Sequence, residues 1–191
     1  GIQHFSAMLR DERGGRAVNL LPSTEVQDIY RLVADYVNKL LAADAEFGTE
    51  NSVELKEDKK TGDMREVLVL GTKTLAKGWN TYGVTRKVTK RSVMTLPYGS
   101  KEYGFSDQLL EDIIKPAVDS GNGTMFTDPG QYARYLAKHI WNAVSTVVVA
   151  AVEAMNWLQK AAKLLATEVK DKKTKEVLKP CLPVSWTTPD G

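Results

Sequence analysis

The stretch "TRKVTKRSVMTLPYGSKEYGF", residues 85–105, sets Arg86, Lys87, Lys90, Arg91 and Lys101 around a hydrophobic run and contains one acid, Glu102. Thr85 is a candidate N-cap. Pro97 lacks a backbone donor and Gly99 readily takes a left-handed conformation, so the pattern predicts a helix over 85–98 that kinks or ends at Tyr98. On that helix Arg86, Lys90, Met94 and Tyr98, each four residues apart, lie along one slowly drifting stripe about 18 Å long. Two cations, an apolar side chain and an aromatic ring then share one surface.

A nucleoside triphosphate has about that length and matching parts, with anionic phosphates at one end and a sugar and base at the other. Arginine and lysine are the usual phosphate partners, and each charge-assisted hydrogen bond contributes about 1.5–3 kcal/mol. A solvated helix face that happens to carry cations four apart fits the spacing equally well, and Lys87 is read that way.

Outward from this helix the pattern is mostly helical. Residues 1–10 read as a short helix broken by Gly14 and Gly15. From Pro22, with Ser23 or Thr24 as cap, the residues Val26, Ile29, Tyr30, Val33, Val37, Leu40 and Leu41 recur at helical spacing through Ala43. "SVELKEDKKTGDMREVLVLG", residues 52–71, reads as a surface hairpin around a charged turn. Helix resumes near Thr74, and a shorter helix is predicted from about Asp107, where Asp107, Glu111 and Asp112 read as a polar face.

The longest pattern runs over 131–169, where Trp141, Val144, Val148, Ala151, Met155, Leu158, Ala162, Leu165 and Val169 alternate spacings of three and four. A central core helix is the favoured reading and a coiled-coil dimer the alternative. Lys170, Lys172, Lys173 and Lys175 mark a solvated turn, and "VLKPCLPVSW", residues 177–186, reads as an edge strand. The fold class expected is mainly α, a multi-helix domain with one or two small β-hairpins.

Composition narrows the chemistry. The 191 residues are 42% hydrophobic and 26% charged, enough for one globular core. A net charge of +2 makes any anion binding a matter of local clustering. One cysteine, Cys181, and two scattered histidines, His4 and His139, supply neither a disulfide nor a cysteine or histidine metal cluster, which suits a reducing compartment. The most apolar run, 144–151, is too short for a bilayer of about 30 Å, and no membrane partner is expected. The sequence has no GxxxxGK[ST] loop, no GxSxG elbow and no dinucleotide fingerprint. The opening at Gly1 without methionine and the close at "TTPDG" read as a segment of a longer protein.

The pattern in "RKVTKRSVMTLPYG", residues 86–99, is R, three residues, K, three residues, apolar, three residues, YG. It resembles the nucleotide-binding helix in the fingers of single-subunit polymerases. Methionine at 94, where relatives of DNA polymerase I typically have phenylalanine, is similar to the bacteriophage and mitochondrial RNA polymerases. "GIQHFSAMLRDERGGRAVNLLPSTEVQDIY" and "VVAAVEAMNWLQKAAKLLATEVKDKKT" extend the resemblance over almost all of the chain, with the 51–67 hairpin freely variable.

The resemblance implies a fingers domain over 1–191, with 1–10 at the junction with the palm, 85–98 as the nucleotide-binding helix and 131–169 as a long core helix. It further implies that Arg86 and Lys90 hold the triphosphate of the incoming ribonucleotide, that Lys90 is the general acid for the departing pyrophosphate, and that Arg91 supports phosphates or template. Tyr98 resembles the tyrosine that helps choose ribonucleotides. Tyr30 resembles one near the insertion site, with a core position as its alternative. Gly99, Tyr103, Gly104 and Phe105 look like the turn and element beside the template. Pro97 departs from the small residue of some relatives, which bears on where the helix ends.

The partners implied are DNA template, ribonucleoside triphosphates, nascent RNA and the palm and thumb of the polymerase, in the cytoplasm of an infected bacterial host. In this family Mg2+ is held by two aspartates. One belongs to a DGxxxG motif of which Gly1 reads as the last residue; the other belongs to an HD motif past residue 191. No metal ligand is therefore expected here. A fingers domain like that of DNA polymerase I, and a nonenzymatic helical module dimerising along the 141–169 seam, are the competing readings.

Overall fold

The helix α3 (Ile29–Phe47) is the element on which the others are laid. Its Ile29, Val33, Ala34, Val37 and Leu41 form one buried face at helical spacing. In this computed structural model, which describes residues 1–58 and 62–182, α3 follows two short helices, α1 (Ile2–Met8) and α2 (Glu12–Ala17). After it come an antiparallel hairpin, β1 (Ser52–Glu57) with β2 (Met64–Val69), and helices α4 (Thr72–Tyr82) and α5 (Arg86–Thr95). The chain continues through α6 (Glu102–Leu109), a π-helical turn over Leu110–Ile114, α7 (Lys115–Asp119), α8 (Pro129–Val147) and α9 (Val149–Ala166). A last small antiparallel hairpin pairs β3 (Val169–Lys170) with β4 (Val177–Lys179). The mainly α class with small hairpins is as expected from the sequence.

The core lies where α3, α4, α5, α6 and α8 meet. Trp79 is fully buried and its indole N–H donates to the Tyr132 carbonyl at 3.0 Å. Its ring packs with Tyr82 and Phe126, and Phe126 in turn meets Tyr132 edge-on. Gly78 lets α4 approach α8 this closely: a Cβ there would lie 2.9 Å from the Tyr132 hydroxyl and 3.0 Å from its ring carbon Cζ. Gln131 ties the first hairpin to α8, accepting from the Leu70 backbone at 2.8 Å and donating to the Leu68 carbonyl at 3.0 Å.

Four boundaries differ from the sequence reading. Gly14 and Gly15 do not break the chain but sit buried inside α2, because Asp11 caps that helix by accepting from the Gly14 N–H. The start of α3 is at Ile29, capped by Asp28 rather than by Ser23 or Thr24, and Val26 is 91% exposed. The Asp28 carboxylate accepts from the N–H groups of Tyr30 and Arg31, two of the donors a helix start leaves free. The helix expected from Asp107 begins five residues earlier, at Glu102.

The long helix over 131–169 is two helices. The chain breaks at Val148 (φ −126°, ψ 57°), and the segments on either side are bent by 104°. Four consecutive β-branched residues, Thr146, Val147, Val148 and Val149, weaken the helix there. Bending keeps Val148 and Val152 in the core. The three-four seam therefore splits: Val144 and Val148 are buried, whereas Leu158 and Leu165 are exposed on the second arm, and Val169 lies beyond it in β3, also exposed. The end of α9 is closed by the hairpin, whose Lys179 ammonium donates to the carbonyls of Leu165 and Thr167 at 3.2 Å each. Of the strand expected over 177–186, β4 covers only Val177–Lys179 and residues 180–182 are not strand; the part from 183 onward lies outside the described residues. No single helix among the described residues is long and apolar enough to cross a membrane.

Because the Tyr132 ring is held on both sides, Gly78→Ala is expected to destabilise the protein by about 2 kcal/mol in chemical denaturation, the usual cost of overpacking. A change within about 0.5 kcal/mol would show that α4 and α8 separate freely.

Candidate functional site

The basic helix α5 has two faces. Val88, Thr89, Ser92 and Val93 are buried, so Arg86, Lys87, Lys90, Arg91 and Met94 are turned to solvent. Three polar contacts set its position on α3. Thr89 Oγ1 donates to the Tyr30 carbonyl at 2.8 Å, the Asn38 side-chain amide donates to the Val84 carbonyl at 2.9 Å, and Arg86 Nε donates to Asp28 Oδ2 at 2.5 Å. Thr85 occupies the N-cap position without capping through its side chain.

The end of α5 is as the sequence predicts. After Thr95 the chain tightens into a 3-10 turn over Leu96–Tyr98 containing Pro97, and Gly99 takes the left-handed conformation with φ 90°. Gly99 N–H donates to the Leu96 carbonyl and Ser100 N–H to the Thr95 carbonyl, which closes the helix end. Gln159 of α9 backs this turn, 3.5 Å from where a Cβ on Gly99 would stand. The Tyr98 ring projects from it, 81% exposed.

The exposed stripe borders a cleft of about 490 Å³. Arg86, Met94, Pro97 and Tyr98 form one wall; Asp28 and Tyr30 at the start of α3 and Gly1 to Gln3 at the start of the chain form the others. Tyr30 is half-buried, and the Arg86 guanidinium carbon stands 4.9 Å from its ring centre. Thus Arg86, Tyr30, Met94 and Tyr98 share one cleft. Lys90 lies on the same exposed face of α5 without lining the cleft.

Arg91 is turned to another neighbour and forms an ion pair with Asp112 of the π-helical turn. Asp112, read from sequence as part of a solvated face, is the partner that holds it. Tyr103, Gly104 and Phe105 fall in the first turn of α6 and point to opposite sides. Tyr103 is 79% exposed, while Phe105 is fully buried with its ring centre 5.8 Å from that of Trp141. A Cβ at Gly104 would lie 2.7 Å from the Ser100 hydroxyl, so this glycine permits the close return of the chain from the Gly99 turn.

Asp28 is the site residue that the sequence reading missed. Burial acts to raise its pKa, but the hydrogen bonds from Arg86 and from the Arg31 and Tyr30 backbone, with the charge of Arg86, outweigh it and hold the carboxyl below its ordinary value. The signal was present in "QDIY", where an aspartate stands directly before the first buried residue of the helix.

Among the described residues no three histidine, cysteine or acidic side chains converge.

Comparison with known proteins gives a consistent picture. A family model described as DNA-dependent RNA polymerase matches residues 1–191. The chain is 68% identical over its whole length to the DNA-directed RNA polymerase of Enterobacteria phage T3 and 66% identical to T7 RNA polymerase of Escherichia phage T7. It spans 22% of each of those proteins. It is also 31% identical, over 98% of its length, to the mitochondrial DNA-directed RNA polymerase of Schizosaccharomyces pombe, of which it spans 14%.

The Asp28 contacts make a pH-dependent contribution. A carboxyl whose pKa is depressed by folding stabilises above its unfolded value, about 3.9, and loses that contribution as pH falls through the lower folded value. Asp28→Ala is expected to cost about 1 kcal/mol at pH 7, and Asp28→Asn less, because asparagine also caps. The gap between the native chain and Asp28→Asn in urea melts should begin to narrow as pH falls below the unfolded carboxyl value of about 3.9 and close once the folded carboxyl is protonated; a gap that stays constant through the whole acid range would contradict the assignment.

Proposed function

We propose, for a chain that belongs to the DNA-dependent RNA polymerase family, that it is the fingers domain of the whole enzyme and that its cleft beside α5 receives the incoming ribonucleoside triphosphate. The observation that carries this reading is the convergence of Arg86, Tyr30, Met94 and Tyr98 on one cleft of about 490 Å³. A cavity of that size is within the usual range for a small-molecule ligand.

In this reading the phosphates lie toward Arg86 and Lys90, and the sugar and base toward Met94 and Tyr98. Arg86 reaches them by exchanging its partner. The Asp28 pair is partly exposed, and such pairs contribute about 0–1 kcal/mol, whereas a guanidinium–phosphate contact is charge-assisted and stronger. Asp28 thus holds Arg86 in place until an anion displaces it. Among the described residues Lys90 forms no ion pair or hydrogen bond, so its ammonium is available to donate a proton to the departing pyrophosphate oxygen. Arg91 would reach a phosphate or the template only by leaving Asp112.

Tyr98, at the mouth of the cleft on a turn that only a left-handed Gly99 closes easily, would stand beside the ribose and discriminate between sugars. Tyr30 supports Arg86 from below. Gly99, Tyr103, Gly104 and Phe105 form the template side: Tyr103 is the residue presented outward, and the buried Phe105 anchors the turn that carries it. The whole enzyme would use Mg2+ held by carboxylates outside this chain, with DNA template, nascent RNA, palm and thumb as partners, in the cytoplasm of an infected bacterium. The domain would move by rotation of α5 between open and closed states.

Two outcomes in the full-length polymerase test the proposal. Lys90→Ala is expected to slow single-turnover nucleotide addition by about two orders of magnitude, as for a lost general acid; an unchanged rate would remove that role. Tyr98→Phe is expected to relax the preference for ribonucleotides over deoxyribonucleotides while elongation with ribonucleotides continues. Unaltered discrimination would place the sugar elsewhere.

A further inference from the structure

Little holds the ring of Tyr98 directly. It is 81% exposed, and among the described residues its side chain forms no hydrogen bond and no aromatic pair. Its place is therefore set by the backbone of the 3-10 turn that carries it, and that turn is packed from two sides. On one side the Pro97 ring meets the start of the chain: a Cβ on Gly1 would stand 3.3 Å from Pro97 Cγ. The ring also fixes its own φ one residue before Tyr98, in a turn whose geometry accepts proline.

The other side is α9. The 104° bend at Val148 carries this helix back across the Leu96–Tyr98 turn, and it touches α1 as well, so it spans from one wall of the cleft to another. Val152, Met155 and Gln159, spaced by three and four, form the face it presents to the turn. Gln159 Nε2 and Met155 Cε lie 3.5 Å and 4.0 Å from where a Cβ on Gly99 would be. Val152 is buried, Met155 and Gln159 are half-buried, and the space left between turn and helix is about 10 Å³, at the lower limit for a single water.

We propose that Pro97, Met155 and Gln159 are positioning residues for Tyr98, clamping its turn between Gly1 and α9 and so setting how sharply the cleft tells ribose from deoxyribose, a role that rests on the reading of Tyr98 as the residue beside the sugar. The turn cannot withdraw from the cleft, because Met155 and Gln159 occupy the space behind it. A ring that cannot withdraw stands beside the sugar in a larger fraction of molecules, and a contact made only by that fraction is strengthened in proportion. Pro97 acts on the same population by removing alternative backbone states of the turn. Met155 and Gln159 stand outside the cleft lining and act only through the turn.

The test compares, in the full-length polymerase, kcat/KM for a ribonucleotide with that for the matching deoxyribonucleotide. Pro97→Ala should lower this ratio about 2- to 5-fold, the weight of the backbone freedom that a proline withholds. Met155→Ala and Gln159→Ala should each lower it too, seen as a rise in ribonucleotide KM rather than a fall in kcat. Met155→Leu, which keeps the volume, should restore the native ratio. Gln159 is half-buried on a helix where alanine is favourable, so its variant is expected to fold. Because the clamp acts through Tyr98, none of these changes should lower the ratio further in a Tyr98→Phe background. Native ratios in both Pro97→Ala and Gln159→Ala, beside a lowered ratio in Tyr98→Phe, would overturn the positioning role alone. Losses that add in full to that of Tyr98→Phe would overturn it as well, since they would report a general loosening of the domain. A native ratio in Tyr98→Phe would remove the placement of the sugar beside Tyr98, and the positioning role with it.

Discussion

Thr89 donating its hydroxyl to the Tyr30 carbonyl is the contact on which the geometry of the site depends. It is a buried threonine on the inner face of a helix otherwise crowded with cations, and it meets the first turn of α3. If α5 were rotated by a quarter turn, this bond would be lost and Lys90 or Arg91 would be driven toward the core, where an unpaired charge costs several kcal/mol. The roll of α5 about its own axis is therefore set by what its inner face can bury, whatever movement the helix makes as a body. The outward stripe of Arg86, Lys90 and Met94 is the complement of that choice.

Asp28 couples the same helix junction to electrostatics. One carboxylate caps α3, meets Arg86 and lines the cleft. The cap holds the acid in position, the acid holds the guanidinium, and the guanidinium stands over the Tyr30 ring. The structural task of starting a helix and the proposed task of presenting an arginine to a phosphate fall to the same residue. Such sharing suits a contact that must be firm without ligand yet exchangeable when an anion arrives.

Much of this was legible before any coordinates. The four-residue spacing of Arg86, Lys90, Met94 and Tyr98, and the stop at Pro97 and Gly99, follow from local rules and hold in the structure. The first hairpin, with alternating residues around a charged turn, was equally local. What failed depended on competition between alternatives. Ser23, Thr24 and Asp28 are all acceptable caps by residue type, and only packing of Ile29 and Val33 on the core chooses the last. Gly14 and Gly15 look like breakers until Asp11 supplies a cap. The three-four pattern from Trp141 onward continues smoothly through Val148, because periodicity records which residues are apolar and not which of them share one core. The break is local; the reason for it is that Val148 and Val152 are buried together. The pairing of Arg91 with Asp112 joins positions 21 residues apart and left no trace in spacing.

In the proposed reading the incoming nucleotide sits in the cleft under Arg86 and Tyr98. The most direct measurement is a structure of the full-length polymerase with template, RNA and a non-hydrolysable ribonucleoside triphosphate. Phosphate oxygens are expected within hydrogen-bond distance of Arg86 and Lys90, with the Asp28–Arg86 pair opened and the ribose beside Tyr98. A triphosphate bound away from α5, with the Asp28–Arg86 pair intact, would contradict it.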